Sequence, residues 1–253
     1  MKSVLLAMMT VVFFATSFYT KENKRTVESA TSTVPKKTNT VPTESEKTAV
    51  TAAEVYSEIN FANVKELNAE IFDKAYRGFM NLKAAGKLPA EAHLLTVCDF
   101  SLSSTQKRLW VIDLENKTVL FNSLVAHGKN TGDEFATRFS NTESSLQSSL
   151  GFYVTDVTYN GNNGYSLRLH GMDAGYNDAA LQRAVVMHGA DYVSEDFIRA
   201  HKRIGRSWGC PAVPRALAEP IINTIKGKNC LFIYYPDSQY LSASKWLNAG
   251  EMV

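Results

Sequence analysis

The feature that most constrains the fold is a succession of short apolar runs after residue 93, each bounded by turn-forming residues. Runs of this length, rich in β-branched and aromatic residues, are typical of β-strands. They cover residues 94–100, 108–113, 118–126, 151–159, 166–170, 184–188 and 230–235. The pattern predicts a mainly β domain over residues 91–253.

Three segments precede that domain. Residues 1–20 contain an apolar run at 4–19 that is short for a stable membrane span, and this favours a cleaved signal peptide over an N-terminal membrane anchor. Residues 21–51 are rich in Thr, Lys, Glu and Ser and predict a disordered tether. Over residues 52–90 apolar residues recur at helical spacing until Gly86, which predicts a helical lead-in.

Two short helices are expected inside the β domain. Ser194 is a suitable N-cap for a helix over residues 194–201. A second helix is predicted over residues 214–226, ending at Gly227. Pro220 is expected to kink or divide this second helix, because proline cannot donate a backbone hydrogen bond.

The charge balance excludes a dedicated nucleic-acid binder. The chain has 27 Lys and Arg against 25 Asp and Glu, a formal net charge of +2, and nucleic-acid binding normally needs a strongly basic surface. We therefore expect no nucleic-acid partner. The signal-like N-terminus instead predicts an exported protein of the periplasm or cell envelope.

The three cysteines differ in their surroundings. Cys98 and Cys230 lie within apolar strand patterns, where cysteine commonly acts as a small buried hydrophobic residue; whether they pair in a disulfide stays open. Cys210 lies in the turn-rich stretch Gly-Arg-Ser-Trp-Gly-Cys-Pro, at residues 205–211. Such a setting suits a nucleophilic thiol, which needs exposure and a close approach by the substrate.

The same stretch offers groups that could assist a nucleophile. Gly209 permits close approach of a carbonyl carbon, and the N–H groups of Gly209 and Cys210 are expected to face a developing oxyanion. Pro211 has no N–H and cannot contribute. His188, at the end of an apolar run and followed by Gly189, is the candidate base, although a lone histidine at a strand end is often structural.

These motifs resemble those of the L,D-transpeptidases. His188-Gly189 followed by Ser207-Trp208-Gly209-Cys210 is similar to the family's His-Gly and Ser/Thr-His-Gly-Cys signature, with Trp208 in place of the second histidine. The stretch at residues 148–153 resembles the Thr-Pro-x-Gly-x-Phe/Tyr motif that opens a strand in the family. The full spelling at 205–211 is closest to the murein L,D-transpeptidase catalytic domain family. The resemblance implies a β-sandwich-like catalytic domain with one short helix in the segment between His188 and Cys210, here called the lid, and another after the Cys turn.

The resemblance also implies a reaction. Cys210 would attack the carbonyl that joins an L-centre to the terminal D-Ala of a peptidoglycan tetrapeptide stem, with His188 as the base and the Gly189 carbonyl orienting its ring. The thioester would then pass to an amine of another stem, giving a 3-3 cross-link, or to water, giving L,D-carboxypeptidase activity. Peptidoglycan stem peptides are the expected partner, and no cofactor or metal is implied.

Further residues are assigned by position near the Cys turn. Ser207 is expected to hold the turn by hydrogen bonds, or to be a simple turn residue, and Trp208 to wall the pocket. Arg206 is expected to bind a substrate carboxylate, because guanidinium groups grip carboxylates with two hydrogen bonds. Tyr192 is a candidate lining residue of the substrate groove, although aromatic residues in β domains are usually packing.

Two other functions remain open on sequence. A zinc-dependent peptidoglycan peptidase could draw its ligands from His170, Asp173, Asp178 and His188, although their spacing forms no helical His pair. A non-catalytic cell-wall-binding module with an inert thiol is the second alternative. The zinc hypothesis leaves Cys210 and its glycine turn without a role.

Overall fold

A computed structural model describes residues 50–249. The predicted signal or anchor at 1–20, and the predicted tether except for its last two residues, therefore lie outside the described part. Thr51 is the N-cap of the first helix, with a capping box formed by Glu54. None of the helices in the described range is long and apolar enough to cross a membrane.

The described chain contains eight strands and six helices. The strands are β1 Leu94–Asp99, β2 Leu109–Asp113, β3 Thr118–Ser123, β4 Gly151–Gly161, β5 Gly164–Gly171, β6 Val186–Ala190, β7 Ala212–Pro214 and β8 Cys230–Tyr234. The helices are α1 Ala52–Glu58, α2 Ala69–Ala84, α3 Glu195–His201, α4 Arg215–Ile225, α5 Ser238–Ala243 and α6 Lys245–Asn248. The prediction of a mainly β domain is confirmed.

All eight strands belong to one sheet, in the order β3-β2-β1-β8-β4-β5-β6-β7. The pairs β1·β8 and β6·β7 are parallel and the others antiparallel. The two ends of this order meet, because Ala126, just after β3, forms an antiparallel bridge with Ala212 of β7. The Ala126 N–H donates to the Ala212 carbonyl at 2.8 Å. The sandwich-like architecture thus takes the form of a single, nearly closed sheet.

The helices of the N-terminal lead-in pack into the same core as the sheet. Asn68 caps α2 through its side chain, and the buried face of the helix contributes Phe72 and Phe79 to the main core. Gly78 allows the closest approach, since a Cβ atom there would lie 1.9 Å from the Phe152 ring on β4. The α2 helix is therefore an integral layer against the sheet.

Several elements of the fold differ from the sequence predictions. The three-residue strand β7 was not predicted, because its run is short, follows Pro211 and ends at Pro214. The short helices α5 and α6 were not predicted either. The helix α4 continues through Pro220, so the expected division of this helix does not occur. The helix α3 does begin after the predicted N-cap Ser194, whose hydroxyl accepts from the Phe197 N–H.

All three cysteines are free thiols. Cys98 and Cys230 are fully buried on the paired strands β1 and β8, which confirms their role as small core residues. Cys230 is in register with Leu95, so Cys98 lies three residues, about 10 Å, further along. That spacing exceeds the Cα separation of a disulfide.

Candidate active site

The last two strands of the sheet bring Cys210 and His188 to neighbouring positions. His188 on β6 is in register with Ala212 on β7, and Cys210 lies two residues before Ala212. The half-buried Cys210 Sγ accepts a hydrogen bond from the Val186 N–H at 3.5 Å and donates to the Ala184 carbonyl at 3.8 Å. The thiol is thus held against the start of β6, on the strand that carries the histidine.

The imidazole of His188 is buried, with 4% of the residue exposed. Its Nδ1 lies 3.1 Å from the Gly189 carbonyl, which requires a proton on Nδ1 and leaves Nε2 as the unprotonated nitrogen. Burial lowers the pKa of His188, and the nearby Arg215 charge lowers it further, so the ring is neutral near pH 7. Within residues 50–249 the ring makes no hydrogen bond to the Cys210 thiol.

The hydroxyl of Ser207 organises the turn before the thiol. Ser207 Oγ accepts from the Gly209 N–H at 3.1 Å and donates to the Cys210 carbonyl at 2.6 Å. The Gly209 N–H is therefore engaged by Ser207 in this structure, and its expected contact with an oxyanion stays a prediction. The Cys210 N–H has no hydrogen-bond partner among the described residues and is the donor left for that purpose.

Glycine at position 209 is required by the backbone. Its φ of +124° lies outside the range that other residues adopt readily, and a Cβ atom there would lie 2.7 Å from the Gln147 carbonyl oxygen. The Ser148 hydroxyl donates to the Gly209 carbonyl at 3.1 Å and accepts from the Gly128 N–H at 3.0 Å. The first residue of the motif at 148–153 thus holds the Cys turn by a hydrogen bond to Gly209.

Trp208 and Tyr192, both expected to line a pocket, differ in how exposed their side chains are. Trp208 is 79% exposed, so its indole is a surface group beside the thiol and not a pocket wall in this conformation. Tyr192 is half-buried and packs with the lid residues Val193 and Ile204. Burial raises the pKa of Tyr192 to about 12, and the negative charge of the nearby Cys210 thiolate raises it as well.

Arg206 is engaged within the protein. Its Nη1 donates to the Gly132 carbonyl at 3.0 Å and lies 2.9 Å from an Asp133 carboxylate oxygen. Arg203 contacts the same carboxylate at 3.3 Å. These contacts fasten the lid to the loop around Asp133, and the substrate-binding role of Arg206 stays a prediction.

Arg183 is the residue near the thiol that the sequence reasoning missed. Its two terminal nitrogens donate to the Ser140 and Gln147 carbonyls, both at 2.8 Å, and to the hydroxyls of Ser145 and Ser149. No sequence signal singled it out, because it stands alone between strands with no motif around it. It clamps the loop whose Gln147 carbonyl lies against Gly209.

The alternative zinc ligands are not brought together. His170 Nε2 lies 2.8 Å from Asp156, and the Asp173 carboxylate is buried and accepts from the Phe152 N–H and the Ser244 hydroxyl. In the part of the chain that the structure describes, no three His, Cys, Asp or Glu side chains form a group able to hold a metal ion. The proposed ligand set therefore has no common site there.

A cavity of about 400 Å³ is lined in part by the clamped loop. Gln147 lines it, and the same residue contacts Gly209 through its carbonyl. Arg138 and Asp237 bring both charge signs to its wall. The cavity is thus a polar recess next to the Cys turn.

Comparison with known proteins identifies a family. A profile of the L,D-transpeptidase catalytic domain matches residues 63–234. No curated protein matches the chain.

The solved structures to which this chain is similar share little of its sequence. An L,D-transpeptidase from Mycobacterium smegmatis is 12% identical with a TM-score of 0.35, over 57% of this chain and 59% of that chain. The helical cell shape determining protein Pgp2 from Campylobacter jejuni is 12% identical with a TM-score of 0.38, over 70% and 62%. An L,D-transpeptidase from Xylanimonas cellulosilytica is 11% identical with a TM-score of 0.31, over 67% and 86%. The chain spans less than two thirds of the length of the first two.

Proposed function

Since this chain belongs to the L,D-transpeptidase catalytic domain family, we propose that it is a cysteine-dependent L,D-transpeptidase of peptidoglycan. The observation that carries the proposal is the half-buried Cys210 on a serine-braced glycine turn, beside a strand that presents a buried, neutral His188. A thiol nucleophile needs a partly accessible sulfur and a neutral base nearby. His188 lies on strand β6, and Cys210 lies in the braced turn that leads into β7.

The proposed reaction begins with proton transfer from the Cys210 thiol to Nε2 of His188. The thiol side chain turns from the Ala184 carbonyl toward the ring, whose orientation is fixed by Gly189. The thiolate attacks the carbonyl between the L-centre and the terminal D-Ala, and the Cys210 N–H stabilises the oxyanion. His188 returns the proton to the leaving amine of D-Ala, and a thioester remains on Cys210.

The thioester then reacts with an acceptor. Attack by a side-chain amine of a second stem peptide gives a 3-3 cross-link, and attack by water gives a shortened stem. In either case the acceptor proton passes to His188 and the thiol is regenerated. The proposed partners are therefore peptidoglycan stem peptides. The corresponding location is the periplasm or cell envelope, reached through the segment at residues 1–20.

The test is to incubate the purified full chain with a disaccharide-tetrapeptide and to follow products and intact protein mass. Wild type is expected to release D-Ala and to carry a thioester adduct, whereas Cys210→Ala should lose roughly a thousandfold or more of the activity. Cys98→Ala is the matched control, because that thiol is buried in the core and burial raises its pKa to about 12.

Two outcomes would contradict the proposal. D-Ala release that survives Cys210→Ala but is lost on adding a chelator would favour the zinc peptidase. No release by folded wild type, together with binding to intact peptidoglycan, would favour the wall-binding module.

A further inference from the structure

The guanidinium group of Arg183 is fixed by neutral partners alone. Its four terminal hydrogen bonds go to two carbonyl oxygens and two hydroxyl oxygens, and no carboxylate contacts it among residues 50–249. Its Nε is buried and has no hydrogen-bond partner there. A partly buried cation without a counter-ion is costly unless an anion forms beside it.

The thiol of Cys210 lies where that anion would form. The Arg183 Nη2 is 3.5 Å from the position that a Cβ atom on Gly209 would occupy, one residue before the thiol. The next residue, Ala184, contacts Cys210 Sγ through its carbonyl. Ala184 has a φ of +52°, so the backbone bends sharply directly after Arg183. The guanidinium of Arg183 thus reaches Gly209, while the carbonyl of the adjoining Ala184 reaches the sulfur of Cys210.

We propose that Arg183 is a positioning residue that stabilises the thiolate form of Cys210. The catalytic importance of this role rests on the proposed function, but its effect on the thiol does not. The clamp on the loop at 140–149 keeps the guanidinium in place, so the charge need not reorganise when the thiol loses its proton. The same hydrogen bonds hold the Gln147 carbonyl against Gly209, so the position of the guanidinium and the conformation of the Cys turn depend on the same loop.

The other charged or titratable groups facing this pair give it no competing anion. Burial raises the pKa of the Cys210 thiol, while the Val186 N–H and the Arg183 charge lower it. Tyr192 faces the thiol from the lid, and Tyr153 faces Arg183 from β4; both are neutral phenols near pH 7. On the strand that carries the base, His188 is neutral and has Arg215 as its charged neighbour.

The test is the pH dependence of Cys210 alkylation by iodoacetamide in the full chain, since only the thiolate displaces iodide. Arg183→Gln is expected to raise the pH at which alkylation reaches half its maximal rate, here called the midpoint. Near pH 7 alkylation should be slower by about tenfold, the effect of one pKa unit. Arg183→Lys keeps the charge and should retain most of the wild-type rate. Cys210→Ala gives the background from the two buried thiols.

Two controls separate charge from packing. Arg77→Gln removes an exposed arginine on α2 that is paired with Asp73, and should leave the midpoint unchanged. Ser149→Ala removes one bond of the clamp without removing the charge, and should also leave it unchanged. Circular dichroism establishes that each variant is folded.

The proposal is overturned if folded Arg183→Gln alkylates with the wild-type midpoint, or if Arg183→Lys is as slow as Arg183→Gln. Should Arg183→Gln fail to fold, Arg183→Lys decides, because a folded Arg183→Lys whose alkylation midpoint rises by about one pKa unit, the shift expected for loss of the charge, would contradict the role of charge. A wild type that alkylates as expected but releases no D-Ala would reject the proposed function and leave this inference standing.

Discussion

Ser207 carries two hydrogen bonds of opposite sense. Its oxygen accepts from the Gly209 N–H while its proton goes to the Cys210 carbonyl. A hydroxyl can do both at once, which an alanine or a carboxylate cannot. The residue is therefore more than a turn former, since it decides which backbone N–H groups remain available beside the thiol.

The charge of Arg215 sets part of the environment of the base. Burial is the main cause of the lowered pKa of His188, and the Arg215 charge adds to it. Because His188 would act as the proposed base in its neutral form, the acidic limb of the activity profile should lie below the ordinary histidine range. Arg215→Gln removes the cation and should move that limb to higher pH, as measured by kcat/KM for D-Ala release between pH 4 and 8.

The matched control is Arg199→Gln, which removes an exposed arginine on α3 paired with Asp196. Its acidic limb should coincide with that of wild type. An Arg215→Gln limb that stayed in place, or moved to lower pH, would show that His188 does not set this part of the profile.

Single residues were predictable where local context marked them. Cys210 was separable from Cys98 and Cys230 because a glycine-rich turn surrounds it and apolar strands surround the others. Arg183 was not predictable, because its partners lie 34 to 43 positions away in the sequence. Their meeting depends on how one loop folds back over the turn, which no periodic pattern records.

At the scale of elements, strands with a long apolar run were predictable and the shortest was not. Pro211, just before β7, and Pro214, its last residue, are normally signs of a turn. β7 survives as an edge strand whose Ala212 pairs with His188 on one side and bridges Ala126 on the other. The helix α4 continues through Pro220 in its second turn, although this proline lacks the N–H that would bond the Ala216 carbonyl.

One carboxylate, that of Asp133, forms ion pairs with two arginines of the lid. Asp133 is 78% exposed and contacts both Arg203 and Arg206. Asp133→Asn should therefore speed amide hydrogen exchange across the lid, while the free energy of unfolding falls by only about 1 kcal/mol or less, as for exposed ion pairs. Hydrogen exchange followed by mass spectrometry, with urea unfolding in parallel, measures both.

Asp196→Asn is the control for the lid, because its ion pair with Arg199 lies within α3 and does not reach the loop. It should leave exchange in the rest of the lid unchanged. Equal exchange in Asp133→Asn and wild type would mean that the remaining contacts hold the lid, namely the apolar cluster around Val193 and Ile204 and the bond from Arg206 to the Gly132 carbonyl.

At the scale of the molecule, closure of the sheet joins residues that are far apart in the chain. The bridge between Ala126 and Ala212 brings the end of the β3 segment to β7, and the parallel bridge of Gly128 with Ser207 continues the contact to the Cys turn. The mainly β class was predictable from the runs of apolar residues. The closure was not, because register between distant strands is not encoded in either strand alone.

A buried histidine, His127, lies between the two bridges that close the sheet and should control stability at low pH. His127 is 1% exposed, and Arg108 Nη2 donates to its Nδ1 at 2.8 Å. Burial first, and then the Arg108 charge, lower the pKa of His127 to about 3. Below about pH 6.5 the unfolded chain binds a proton that the folded chain does not, so stability falls by about 1.4 kcal/mol per pH unit from this group.

His127→Gln should remove this contribution and flatten the loss of stability between pH 6 and pH 4, whatever its cost at pH 7. Urea unfolding of both proteins at several pH values gives the two slopes, and their difference isolates His127 from Asp99 and Asp173, whose raised pKa values act in the opposite direction. Parallel slopes would mean that His127 is protonated in the folded protein.

Because two thiols are buried and the third is half-buried, the order of folding and cysteine oxidation matters for this chain. If it reaches an oxidising compartment unfolded, no pairing of its cysteines leads to the functional fold, since Cys98 and Cys230 lie too far apart along β1 and β8 and the proposed reaction uses Cys210 as a thiol. Folding then competes with oxidation of the thiols. Once β1 and β8 pair, the sulfurs of Cys98 and Cys230 are buried in the core and protected from oxidation. A disulfide made too early would have to be reduced by the cell before the enzyme could form.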